Sequence, residues 1–397
     1  MRKLYFRLLL FGLIFSCSQK GEDEIYQGKI EELLLDDFSL EKDSLTRGFG
    51  NLNVIHEGGK DYLIYSRSAR KFKGYGFVFL NAQTGKEEHV VEIPFEGPNS
   101  MKGGVAGFFV HDKNTIFLVS GEGDIATYDS LGNQTSYVDS ELDIPLTIDN
   151  WILIEYRWGL ANFDYPSLQF GQNPSHMVNG RDKPGAGEIR YEFPLDFRNW
   201  LTHTNVTNGE IETSDFLIPT GYEIFQGDMT STFLFGDYDS KRDRYLLGWP
   251  YSNEVYELKG LSLEQKVIPK TSLEFNFLPS EPLAVQGDYP ATAMVQPKDA
   301  SKHIFIMYDS YRDLNIRCSK IKESGTGETK FQRTKHYVLS IYSGDWKPKG
   351  EYFFDFETEL DVENWFLTSE GLFINKPEQE SEDAYEFYKI DLSGFVD

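Results

Sequence analysis

Residues 108–133 read FFVHDKNTIFLVSGEGDIATYDSLGN, and this stretch decides the fold. It parses as a strand, a polar turn, a second strand from Thr115 to Val119, a short loop, a third strand and a turn ending at Gly132. Short apolar or alternating runs bounded by Gly, Asp, Asn and Ser are the mark of β-structure. Tyr62-Leu-Ile-Tyr65, Thr232-Phe-Leu-Phe235, His303-Ile-Phe-Ile-Met307 and Trp365-Phe-Leu367 are further runs of this kind. No period near 3.6 persists over a long window, so the chain is expected to be all-β.

The unit recurs. Residues 54–86 read VIHEGGKDYLIYSRSARKFKGYGFVFLNAQTGK, 232–260 read TFLFGDYDSKRDRYLLGWPYSNEVYELKG, and 365–394 read WFLTSEGLFINKPEQESEDAYEFYKIDLSG. Each closes on a glycine suited to a turn with positive φ: Gly85, Gly132, Gly260 and Gly394, with Gly209 and Gly344 as weaker members. The successive intervals are 47, 77, 51, 84 and 50 residues. An interval near 50 is a four-stranded blade, and the two long ones are blades with insertions. This predicts a six-bladed β-propeller, with a β-sandwich or solenoid of similar spacing as the competing architecture. Only Phe395-Val396-Asp397 follow Gly394, so the last unit lacks a fourth strand. The apolar run Ile30 to Leu40 is expected to supply it, closing the ring and burying Leu33, Leu34 and Leu35.

The N-terminus carries its own signal. Arg2, Lys3 and Arg7 precede a short apolar stretch, Leu8 to Phe15, which cannot span about 30 Å of hydrocarbon. It ends in Ile14-Phe15-Ser16-Cys17, which resembles a bacterial lipobox. Cys17 is the expected lipidation site, because a thiol is needed to form the thioether that carries diacylglycerol. Residues 1–16 are therefore read as a lipoprotein signal peptide, 17–27 as an acidic tether and 28–397 as the propeller. Glu22-Asp23-Glu24 resembles the export signal that sends lipoproteins of Bacteroidota to the outer face of the outer membrane, or else is a disordered spacer. The expected location is the outer membrane, on its surface or its periplasmic face.

Composition excludes several classes. The full chain carries −24, and losing the three positive charges of residues 1–16 takes it to −27. Such a body repels nucleic acid, and no basic stripe overrides this. With Cys17 acylated, Cys318 is the single remaining cysteine, so no disulfide is available and packing must hold the fold. Aromatic residues, 15% of the chain, supply much of the core.

A lipobox followed by a six-unit β body with FFVHDKNTIFLVS…YDSLG phrasing is similar to the DUF4221 (TolB-like propeller) family of Bacteroidota lipoproteins. The resemblance implies fold and address; it carries no catalytic residues across.

Motifs for chemistry are missing. There is no Gly-x-Ser-x-Gly, His-Glu-x-x-His, phosphate-cradling Gly-x-x-x-x-Gly-Lys or Cys-x-x-Cys, and no sialidase-type Asp-box. No catalytic residue, metal or cofactor is assigned. The acids of Asp237 to Asp243 have a spacing that suits Ca²⁺, but lack the glycine and terminal glutamate of an EF-hand loop. They fall at a strand 1–2 turn, where Asp and Ser cap backbone amides.

Both long blades are expected to expand between strands 2 and 3, at Trp158 to about Arg190 and Asp309 to about Lys335. The same loop of blade one holds Arg67, Arg70, Lys71, Lys73 and Tyr75; that of blade four holds Trp249, Tyr251 and Asn253; that of blade five holds Tyr311, Arg312 and Arg317. All would share one face. Cations and aromatics gathered there suit an acidic glycan, with Arg as bidentate clamp and Trp or Tyr as stacking surface. The candidate ligand residues are Arg70, Lys73, Trp158, Trp249, Tyr251, Tyr311 and Arg312. A non-enzymatic binding propeller is the favoured reading. A polysaccharide-acting hydrolase or lyase and an accessory subunit of an outer-membrane uptake or assembly complex are the alternatives.

Overall fold

The computed structural model describes residues 25–42, 52–69, 73–102, 105, 107–120, 124–139, 151–153, 167–173, 176–178, 190–285, 291–325, 333–357, 364–377, 379 and 381–396. The signal peptide, Cys17 and Glu22 to Glu24 lie outside them. Five four-stranded sheets and one five-stranded sheet follow one another, with two short two-stranded pairs between or within them. The first sheet takes Asn53–Glu57, Lys60–Ala69, Gly74–Asn81 and Glu87–Pro94; the second Gly107–Asp112, Thr115–Val119, Ile125–Tyr128 and Gln134–Val138. The third takes Trp151–Leu153, Ser167–Asn173, Leu201–Asn205 and Ile211–Thr213. The fourth takes Phe235–Asp239, Arg244–Gly248, Val255–Lys259 and Ser262–Val267; the fifth Lys302–Asp309, Leu314–Ser324, Thr334–Ser343 and Pro348–Phe356. Phe366–Thr368, Gly371–Asn375 and Ala384–Ile390 begin the sixth.

Within each sheet the consecutive strands form an antiparallel meander. The strand Gly74–Asn81 is buried along almost its whole length, whereas the fourth strand Ser262–Val267 is largely exposed. A strand packed on both faces has no solvent side, which is why inner strands read as unbroken apolar runs. First strands pack beside one another from sheet to sheet. That of the sixth sheet meets that of the first, the first meets the second, and the fourth meets the fifth. The architecture is an all-β propeller. Trp200, Trp249 and Trp365 are fully buried between the sheets, and each large apolar side chain so placed contributes roughly 1.5–3 kcal/mol.

The chain start closes two sheets. Leu34–Glu41 pairs antiparallel with Ala384–Ile390 and is the missing fourth strand of the sixth sheet. Gln27–Lys29 pairs in parallel with Pro348–Phe356 and makes the fifth sheet five-stranded. Residues 30–33, expected as strand, form a 3-10 turn that carries the chain between the two edges. The burial also differs from expectation. Ile30 and Leu40 point inward, Leu33 and Leu34 are partly buried, and Leu35 is 48% exposed.

Gly85, Gly132, Gly209 and Gly260 lie at the strand 3–4 turns with positive φ. Gly344 does not; a Cβ there would meet the side-chain ends of Arg242 and Asp313. Gly394 has neither positive φ nor a close neighbour. The third sheet does expand between strands 2 and 3, where His176–Val178 pairs with Arg190–Glu192. The fifth does not expand where expected. Residues 309–335 contain a tight turn, the strand Leu314–Ser324 and the connection to Thr334. The extra length precedes the sheet and carries the pair Glu281–Val285 and Ala291–Val295. Period counting registers added length but not which connection holds it.

Candidate functional site

A meander sends its strand 1–2 and 3–4 turns to one rim and its strand 2–3 loops to the other. On the first rim, Tyr238-Asp239-Ser240-Lys241-Arg242-Asp243 of the fourth sheet recurs as Tyr308-Asp309-Ser310-Tyr311-Arg312-Asp313 of the fifth. The repeated residues repeat their geometry. Asp239 Oδ1 accepts from the amides of Lys241 and Arg242 at 3.2 and 3.1 Å, and Asp309 Oδ1 from those of Tyr311 and Arg312 at 3.0 and 3.3 Å. Arg242 Nη1 donates back to Asp239 Oδ2 at 3.2 Å, and Arg312 Nη1 to Asp309 Oδ2 at 2.8 Å. Asp243 and Asp313 both take positive φ, where a short polar side chain costs least. Each accepts from the tyrosine that opens its own hexapeptide.

Both arginines then reach to the next sheet. Arg242 donates Nη1 and Nη2 to the two carboxylate oxygens of Asp313 at 2.6 and 3.1 Å, and Nε to Asp345 at 3.0 Å. This fork holds the Asp313 carboxyl well below the usual carboxylate range. Arg312 instead donates to the carbonyls of Thr368 and Ser369 at 3.2 and 2.6 Å. Burial raises the pKa of Asp309, and Arg312 opposes that rise. Beyond Arg312 lies Asp61, which accepts from Tyr311 Oη at 2.6 Å, the Ser369 amide at 2.9 Å and Ser369 Oγ at 2.7 Å, and bonds His56 Nδ1 at 2.7 Å. Burial pushes the Asp61 carboxyl up, but these four contacts outweigh it and leave the pKa lowered. One polar chain thus runs along the rim from the fourth sheet through the fifth and sixth to the first.

Beside it opens a cavity of about 280 Å³. Its wall includes Lys241, Arg242, Arg312, Lys347 and Lys349 against Asp313 and Asp345, with Phe395 and Val396 on the apolar side. Lys241, Arg242 and Arg312 are balanced there by Asp313, Asp345, Asp239 and Asp309, so these three add little net positive charge to the cavity. Lys347 is exposed and Lys349 half-buried. Gln27 pairs with Glu351, so the chain before Gln27 runs toward Lys349 and the mouth of this cavity.

The residues expected to form a ligand face are not brought together. Tyr311 and Arg312 stand on the strand 1–2 rim, engaged with Asp61 and Asp309. Lys73 is exposed at the opposite rim. Trp249 and Tyr251 do follow the second strand of the fourth sheet, but are 0% and 4% exposed in the aromatic core. A buried ring offers no stacking surface, so those two assignments are withdrawn. Arg317 lies inside a strand, fully buried, and not in a loop. Arg70 and Trp158 lie outside the described residues. The acids once weighed for Ca²⁺ are engaged otherwise: Asp239 binds Arg242 and Arg244. The hexapeptide repeat is legible in the sequence; the cavity is not, because its wall comes from four separated segments.

No family model matches the chain, and no curated protein matches it by sequence. Among solved structures, a luciferin-regenerating enzyme (10% identity, TM-score 0.41, covering 90% of this chain and 96% of its own) and BamB from Moraxella catarrhalis (10%, 0.36, 90% and 99%) fall too low to argue from. A member of the DUF4221 family from Bacteroides vulgatus is 14% identical, with a TM-score of 0.65, over 90% of this chain and 97% of its own. The chain shares the fold of that structure, an all-β propeller.

Proposed function

We propose that this chain is an exported lipoprotein, held to the outer membrane by lipid on Cys17, whose six-bladed propeller is a non-enzymatic binding module of the DUF4221 type. The six-blade reading rests on the six sheets of four or more strands. The likeness to the Bacteroides structure supports the family. The cavity bounded by Lys241, Arg242, Lys347 and Lys349 carries the functional reading. Its ligand is an anion, in the first instance an acidic or sulfated glycan. Arg242 is already committed to carboxylates, so Lys347, exposed at the mouth with Lys349 beside it in the wall, is placed to meet ligand charge first. Clustered cations act together within a Debye length of about 8 Å.

The test uses the purified mature chain and a sulfated heparin-derived hexasaccharide. Binding should weaken with added salt and fall at least about tenfold in Lys347→Glu/Lys349→Glu, at unchanged melting temperature. Equal binding by the variant, or none by the wild type, overturns the site. The anchor is tested separately: Cys17→Ala should leave the protein unacylated and out of the membrane fraction, and unchanged fractionation rejects it.

A further inference from the structure

Arg317 sits in the middle of the strand Leu314–Ser324 with 1% of its surface exposed. No carboxylate pairs with it among the described residues, and its Nε has no hydrogen-bond partner. Its two longest-reaching nitrogens make only 3.5 Å contacts, to the Asn253 carbonyl and Tyr342 Oη. The other buried cations on the strands of this sheet, among the described residues, are answered: Lys320 by Glu323 and Lys335 by two carbonyls. A guanidinium cannot shed its proton at any ordinary pH, so a buried one must be compensated. The rings of Phe275 and Tyr342, with centroids 5.7 and 6.0 Å away, supply part of this. They lie at the outer limit for such a contact and cannot stand in for a counter-ion.

The neighbours favour an anion. His303, fully buried, bonds Ser319 Oγ at 2.7 Å and Asn253 Oδ1 at 3.0 Å, and burial and the Arg317 charge both hold its pKa far below the usual value. The imidazole is therefore neutral and brings no charge of either sign. With Asn253 Oδ1 turned to His303, the side-chain amide donors of Asn253 are left over. The Tyr342 hydroxyl lies beside the guanidinium. Among the described residues the guanidinium is left as a buried positive charge without a carboxylate.

We propose that Arg317, with Asn253 and Tyr342, binds a small monovalent anion of chloride type in the seam between the fourth and fifth sheets. The site is separate from the rim cavity, whose lining includes none of Arg317, Asn253 and Tyr342. The anion replaces the missing carboxylate and ties the two sheets together.

Replacing sodium gluconate by sodium chloride at constant ionic strength should raise the melting temperature of the full mature chain by a few degrees. Arg317→Met, which keeps the length and removes the charge, should melt at the same temperature in both salts. Crystals grown in bromide should show an anomalous peak beside the Arg317 guanidinium. That measurement is made on the wild type and holds even if the variant fails to fold. A melting temperature indifferent to the halide, or bromide-grown crystals without that peak, overturns the proposal.

Discussion

Residues 238–243 and 308–313 fold alike and are held differently. Both begin with a tyrosine that donates to the closing aspartate, bury their second residue completely and send an arginine forward to the next sheet. In the fourth sheet, however, Asp239 is gripped by two guanidinium groups, Arg242 and Arg244. In the fifth sheet the residue matching Arg244 is Leu314, which packs in the core, and Asp309 has Arg312 as its one cation among the described residues. The forward contacts differ too. Arg242 meets carboxylates of the four-residue turn and of Asp345, while the sixth sheet turns in two residues, Ser369 and Glu370, and offers Arg312 only carbonyls. A local code shapes a turn and aims its arginine; the neighbouring sheet decides what the arginine finds.

The difference predicts unequal fragility. Arg312→Ala strips the fully buried Asp309 of its cation and should cost about 3–5 kcal/mol, read as a fall in the urea midpoint at constant slope. Arg242→Ala should cost less, about 1–2 kcal/mol, because Arg244 still holds Asp239 and Lys241 still holds Asp313. A variant order reversed from this would break the comparison.

Acid sharpens it. The pKa of Asp313 is lowered in the folded chain, so its stabilising contribution is present above the unfolded value of 3.8 and lost as pH falls through the depressed folded one. The stability gap between wild type and Arg242→Ala should therefore be full at neutral pH and narrow below 3.8. Unfolding midpoints measured from pH 7 downward check this; a gap that stays constant would mean the fork contributes by packing alone.

The two rims show where reading the chain succeeds. Gly85, Gly132, Gly209 and Gly260 were legible because positive φ is a demand made by four consecutive residues. The N-terminal closure was legible because the unit ending at Gly394 reads as three strands, and one apolar run, Ile30 to Leu40, belonged to no unit. Gly344 was right in place but does not take positive φ, and what a Cβ there would meet is the end of the Arg242 side chain, about 100 residues away. Trp249 failed for the same cause. After a strand and before Pro250 and Tyr251 it has the look of a loop aromatic, and only Trp200, Phe216 and Tyr256, drawn from other segments, make that position core.

By itself, the sequence determined the strand rhythm, the turn positions, the unit length and the hexapeptide turns, all of which depend on neighbours within a few residues. Tertiary structure alone decided which cations line the rim cavity and which are consumed in clasps between sheets. Charge and burial at a point sum over everything within about 8 Å, and in a closed ring those groups come from segments hundreds of residues apart.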